Sequence, residues 1–202
     1  MVGRAERGTV LDTRARLALF HGSSVSAEEA LAMDEGDITF DLLMSRGVRG
    51  VNLLTAGQGP TVLRSRGALQ AAQLRQLGMD SIDLLDPDFC HEACMAYGAR
   101  SVADAFVVSP ADAVNVAGSE AMHILDLDAA RLLECCVGFP GEAAEVLAQL
   151  TPGAALYGVP CRVVLDAGLR VDALKRLGYS LESVVAQLGA SGPDLVKLGY
   201  GL

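Results

Sequence analysis

Cys90-His91-Glu92-Ala93-Cys94 is the densest cluster of potentially reactive side chains in the sequence. On a helix, residues four apart share a face, and two thiolates with an imidazole suit zinc. A closed zinc site wants four ligands, and no second pair follows at a suitable spacing; Cys135, Cys136 and His123 would have to arrive from a later turn of the chain. Buried cysteine also serves as a small apolar residue, and Cys94 stands where leucine stands in similar segments elsewhere. The expectation is therefore a structural role. Cys90, His91 and Cys94 remain the alternative, a metal-binding region.

Three further groupings invite chemistry. The run Val51-Asn52-Leu53-Leu54-Thr55-Ala56-Gly57-Gln58-Gly59-Pro60-Thr61 has the apolar stretch and G-x-G of a dinucleotide-binding turn. Val62 stands where the third glycine belongs, and no alternation of strand and helix follows to build the sheet that such a turn serves. Gly189-Ala190-Ser191-Gly192 places a serine between glycines, but outside the Gly-x-Ser-x-Gly frame of a nucleophile elbow. The paired acids Asp86 with Asp88 and Asp126 with Asp128 stand before helix starts, where carboxylates cap free N–H groups and meet the helix dipole favourably. With His21, His91 and His123 as the only imidazoles, no nucleophile, base and orienting group assemble. The sequence predicts no catalytic, cofactor-binding or metal residues, no cofactor, and a protein that is not an enzyme.

The elements carrying these residues are paced by a glycine that returns about every ten positions. It falls at Gly47, Gly57, Gly67, Gly78, Gly98, Gly118, Gly138, Gly158, Gly168, Gly178, Gly189 and Gly199; Asp88, Val108, Asp128 and Ala148 occupy the missing beats. Four residues before the beat stand Leu43, Leu53, Leu63, Leu74, Leu84, Cys94, Val114, Ile124, Ala144, Ala154, Val164, Leu174, Val185 and Leu195, with Asp104 and Glu134 the exceptions. One residue before it come further apolar side chains, among them Leu77, Val137, Leu147, Leu177 and Leu198. Apolar residues three apart share a face in a helix and oppose one another in a strand. A glycine after them suits the left-handed residue that closes a helix.

Helix starts agree with these stops. Pro60, Pro110, Pro140 and Pro160 sit where a first helical position would fall, and Ser109, Thr151, Asp80, Ser101 and Ser180 occupy cap positions. Each unit reads as a cap, a helix of about seven residues and a glycine stop; a helix that short does not stand alone in water. The predicted fold is all-α: an α-solenoid of two-turn helices with a unit of about ten residues, paired as hairpins of about twenty. Residues 39–202 form this solenoid. Residues 1–38 form a separate segment, disordered at its start, with capping helices over Thr9–Phe20 and from Ser26 to Met33.

Composition narrows the function. Of 202 residues, 51% are hydrophobic, 4% aromatic and none tryptophan, so the core must be leucine, valine and alanine. No run reaches the length that spans a bilayer, and no secretory signal opens the chain, so a cytoplasmic protein with five reduced cysteines is expected. Net charge is −9, and from Asp80 to Leu150 thirteen acids face Arg100 and Arg131 alone. That balance repels phosphate backbones and favours a protein partner with a basic surface. The chain reaches Lys197-Leu198-Gly199-Tyr200-Gly201-Leu202 in mid-rhythm, which predicts docking of that end on a partner or on a second copy. The alternative is a nucleic-acid-binding repeat protein using Arg46, Arg49, Arg64, Arg66 and Arg75.

Overall fold

A helix closes most readily on a residue that enters the left-handed region without a Cβ penalty. Every beat glycine from Gly78 to Gly199 does so, with φ between 60 and 96°. Glycines off the beat, such as Gly50, Gly141 and Gly192, do not. The computed structural model describes residues 39–45, 49–55, 59–67, 69–150 and 155–201, and among them all regular structure is helical. The segment 1–38, with its two expected helices, and Thr151 lie outside the described residues.

Four short helices come first: α1 (Phe40–Ser45), α2 (Gly50–Thr55), α3 (Pro60–Gly67) and α4 (Ala71–Gln76). A 3₁₀ turn (Asp83–Leu85) leads to α5 (Pro87–Tyr97) and α6 (Ala99–Phe106). Next are α7 (Pro110–Val116), α8 (Glu120–Ile124), α9 (Ala129–Cys135) and α10 (Pro140–Gln149). The last are α11 (Cys161–Asp166), α12 (Val171–Arg176), α13 (Leu181–Leu188) and α14 (Gly192–Leu198).

The stops have a common hydrogen-bond pattern. After α12, the Gly178 N–H donates to the Lys175 carbonyl at 3.0 Å and the Tyr179 N–H to the Leu174 carbonyl at 2.9 Å. The same pair of bonds closes α4, α11 and α14. This is a Schellman closure, and the residue after each of these glycines (Met79, Leu169, Tyr179, Tyr200) is buried, as that motif requires of its apolar partner. The beat missing at Asp128 arrives two residues early: Asp126 takes φ 53° and closes α8, while Asp128 caps α9. Where the beat carries Ala148, nothing stops the helix, and α10 runs through it to Gln149.

Starts follow the sequence with three corrections, the first being Asp80, which precedes a turn and the 3₁₀ segment Asp83–Leu85, itself capped by Ile82. Pro60, Pro110 and Pro140 open their helices, and Ser109 and Ser180 accept the expected capping bonds. Pro160 is instead the cap before α11, and Ser101 lies inside α6, because Ala99 and Arg100 already continue the helix after Gly98. The core column also shifts. In the six-residue helices α4, α11 and α12, the residue four before the beat (Leu74, Val164, Leu174) is fully buried. In the longer α5, α7, α9, α10 and α13 the fully buried residue is one earlier: Ala93, Ala113, Leu133, Ala143 and Val184. One added residue turns the inward face by about 100°. Val185, expected inside, is 41% exposed, although the seven-residue α14 still buries Leu195.

The chain divides into two compact bodies, Met1–Asp80 with His91–Val102, and Ser81–Cys90 with Ala103–Leu202. In the second, α7 packs on the 3₁₀ turn, α8, α9 and α10; α9 meets α10 and α11, and α11 meets α14. Long-range side-chain hydrogen bonds share one kind of span in both bodies. Thr61 with Glu92 and Ser81 with Asp112 are 31 residues apart, Cys135 with Val107 is 28, and Tyr97 with Pro60 is 37.

Candidate functional site

Asp86, Asp128 and Ser191, which sequence alone offers for chemistry, are engaged in capping helix starts. Asp86 accepts from the Asp88 and Phe89 N–H groups at 3.0 and 3.4 Å, and Asp128 accepts from the Arg131 N–H at 2.8 Å. Ser191 donates its hydroxyl to Asp194 at 2.6 Å, and the Ser191 N–H reaches the same carboxylate at 3.1 Å, a capping box opening α14. These two Ser191 hydrogen bonds hold the Asp194 carboxyl below its ordinary range.

The largest internal polar cluster is a cap of the same kind, driven deep. Asp112 is buried, and its Oδ2 accepts from the Ser109 hydroxyl at 2.7 Å and from the Ser109 and Val108 N–H groups at 3.1 and 3.3 Å. Its Oδ1 accepts from the buried Ser81 hydroxyl at 2.8 Å, and the Asn115 amide donates to that same Ser81 oxygen at 3.1 Å. A buried carboxylate is tolerable when its lone pairs are filled this way. The network ties the start of α7 to the segment before the 3₁₀ turn.

The cysteine and histidine groupings do not converge. Cys90 is fully buried on α5, Cys94 half-buried and His91 exposed. Cys135 donates its thiol to the Val107 carbonyl at 3.4 Å, and burial raises its pKa. Burial, helped by the neighbouring Cys135, pushes Cys136 up to about 11. Thiols held protonated at neutral pH are poor nucleophiles. His123 is exposed on α8 and lines a separate depression of about 330 Å³ with Met122, Asp128, Gln149 and Tyr157. Among the described residues no three His, Cys, Asp or Glu side chains gather where they would hold a metal ion.

The G-x-G segment leads from α2 into α3. Gly57 and Gln58 lie outside the described residues, and a Cβ on Gly59 would collide with the Glu92 carboxylate. That carboxylate accepts from the Thr61 N–H at 3.0 Å, so an anion of the chain's own already meets the α3 start. Of the arginine set, Arg49 and Arg64 are exposed and Arg75 is half-buried; the Arg46 and Arg66 side chains lie outside the described residues.

Concave surface is more informative than any of these. In the first body, Thr61, Arg64 and Ser65 of α3 face Cys94, Met95 and Tyr97 of α5 across a concavity of about 710 Å³. The Arg64 guanidinium lies 5.5 Å from the Tyr97 ring centre, and the Tyr97 hydroxyl donates to the Pro60 carbonyl at 3.2 Å. Burial carries the Tyr97 phenol up to about 12, with the Arg64 charge opposing the shift. Met95 is 86% exposed. In the second body a groove of about 620 Å³ runs between α10 and α12, floored by Ala144, Ala148 and Ala173 and edged by Glu145, Arg170 and Arg176. Exposed apolar side chains also stand at Val108, Val137 and Phe139, and at Leu181, Val185 and Val196 of α13 and α14. Among the described residues no helix is long and apolar enough to cross a membrane.

Comparison with protein-family models, with curated proteins and with solved structures finds no match to this chain. Sequence reasoning singled out Arg64, but missed its setting. Met95 reads as one more apolar residue of a helical stripe, and its outward position follows only once Ala93 and Ala96 are known to face the core.

Proposed function

We propose that the chain is a non-enzymatic scaffold: an α-solenoid whose short helices stack to present surfaces to another protein. The observation that carries this reading is the recurrence of long-range hydrogen bonds at spans of 27 to 37 residues, about three beats of the glycine rhythm. Three short helices per coil, each coil shelved on the last, explain that span better than a coil of two. The equivalent buried residues Ala113 with Ala143 and Val116 with Val146 sit one such coil apart. Capping absorbs the acids and serines, which fits a scaffold better than a reaction centre.

The acidic body is the surface proposed for a basic partner, and the exposed Leu181, Val185 and Val196 mark the end proposed to dock on a partner or a second copy. A cytoplasmic setting belongs to the same reading. The test is affinity capture from the native host, with proteins identified by mass spectrometry at about 50 and about 500 mM salt. A specific protein retained at low salt, released at high salt and lost in a Val196→Asp variant is the expected result. Capture of nothing above a control resin overturns the scaffold reading.

A further inference from the structure

We infer that the concavity between α3 and α5 docks the acidic body of a second copy of this chain, in a head-to-tail contact. The inference rests on the scaffold reading and names the basic surface that reading calls for. Charge along the chain is divided sharply. The first body as a whole is balanced, ten arginines against ten acids, but its stretches 39–80 and 91–102 carry six arginines against three acids; Ser81–Cys90 with Ala103–Leu202 carries fifteen acids against six basic residues, the whole chain's net −9. The acids of the second body are largely at the surface: Asp86, Asp88, Asp104, Glu120, Glu134 and Glu182 are all exposed.

The concavity has the features such a surface needs. Its one charged lining residue is Arg64, held over the Tyr97 ring and not by a carboxylate, with the Thr61 and Ser65 side chains beside it. Glu92, the acid nearest in this body, is spent on the Thr61 N–H and is not among the lining residues. An incoming carboxylate would pair with Arg64 without displacing a partner acid, and the planar guanidinium keeps its stacking while doing so. Met95 supplies an unbranched apolar side chain that adapts to whatever apolar group accompanies that acid. Because the two surfaces differ, the contact is heterologous: it does not close at a dimer but repeats, as a chain or a ring.

The experiment is sedimentation of the full-length protein over a range of concentrations at about 50 and about 500 mM salt. Mass should climb with concentration past two copies at low salt and fall to one copy at high salt. Arg64→Glu and Met95→Asp, both at exposed positions, should each weaken association about tenfold or more. Arg162→Glu makes the same charge change in the acidic body, at a side chain 89% exposed, and should leave association intact or tighter. Association that ignores salt, or that Arg64→Glu and Arg162→Glu weaken equally, overturns the inference, as does a single copy under all conditions. If Val196→Asp abolishes association while Arg64→Glu leaves it unchanged, assembly runs through α13 and α14. The inference then fails and the scaffold reading stands.

Discussion

Gly118 and Gly178 share a left-handed backbone but not its surroundings. A Cβ on Gly178 would meet open space, whereas one on Gly118 would run into the Gln149 carbonyl at the end of α10. The first glycine is needed for its conformation alone, the second for conformation and close approach. Gly178→Ala should therefore cost about 1–2 kcal/mol, the price of a left-handed L-residue. Gly118→Ala should cost about 3 kcal/mol or more, because backbone must also move. Urea titrations of the two variants check the order. Sequence marks both residues identically, as beats, since the rhythm records the stop and not what passes behind it. The same blindness hid the concavity: Arg64 and Tyr97 are separated by three units of chain, and nothing local to either signals the other.

At the scale of the helix, much was legible. A proline or serine opens many units and a glycine closes most, and these signals act through backbone hydrogen bonds within a single turn. The inward face followed the predicted column in α4, α11, α12 and α14 and missed it by one residue in α5, α7, α9, α10 and α13. In α13 the rhythm slips by one residue, and counting back four from Gly189 gives Val185, while the packed residue is Val184. A fixed count back from the stop fails because the inward face is set by packing against helices elsewhere in the chain, which the count does not see. Val184→Ala should accordingly destabilise by about 2 kcal/mol through lost burial and a small cavity. Val185→Ala should change stability by less than about 0.5 kcal/mol. Thermal unfolding of the pair decides between the two faces; equal losses would return the core to the sequence-derived column.

Across the whole molecule, sequence supplies the unit but not the number of units that the proposed solenoid would place in a coil. Two-unit and three-unit stacks place the same apolar faces inward, so periodicity cannot separate them, and only long-range contacts do. The difference has a consequence for deletions. Removing residues 109–138 joins Val108 to Phe139, which like Ser109 stands just before a helix that opens with proline, though without a side-chain capping bond. It would seat α10 where α7 was, Ala143 in the place of Ala113 and Val146 in the place of Val116, each fully buried in its own coil. A solenoid of three-unit coils loses one shelf and closes on the next, so the shortened chain should still unfold cooperatively. Its urea m-value should fall roughly in proportion to the surface removed. Removing residues 109–128 instead seats α9 in that place and brings the bulky, fully buried Leu132 and Leu133 where Asp112 and Ala113 stood. That chain should lose its cooperative transition and expose apolar surface to a dye such as ANS. If the two-unit deletion folds and the three-unit deletion does not, the coil has two helices and the stacking proposed here is wrong.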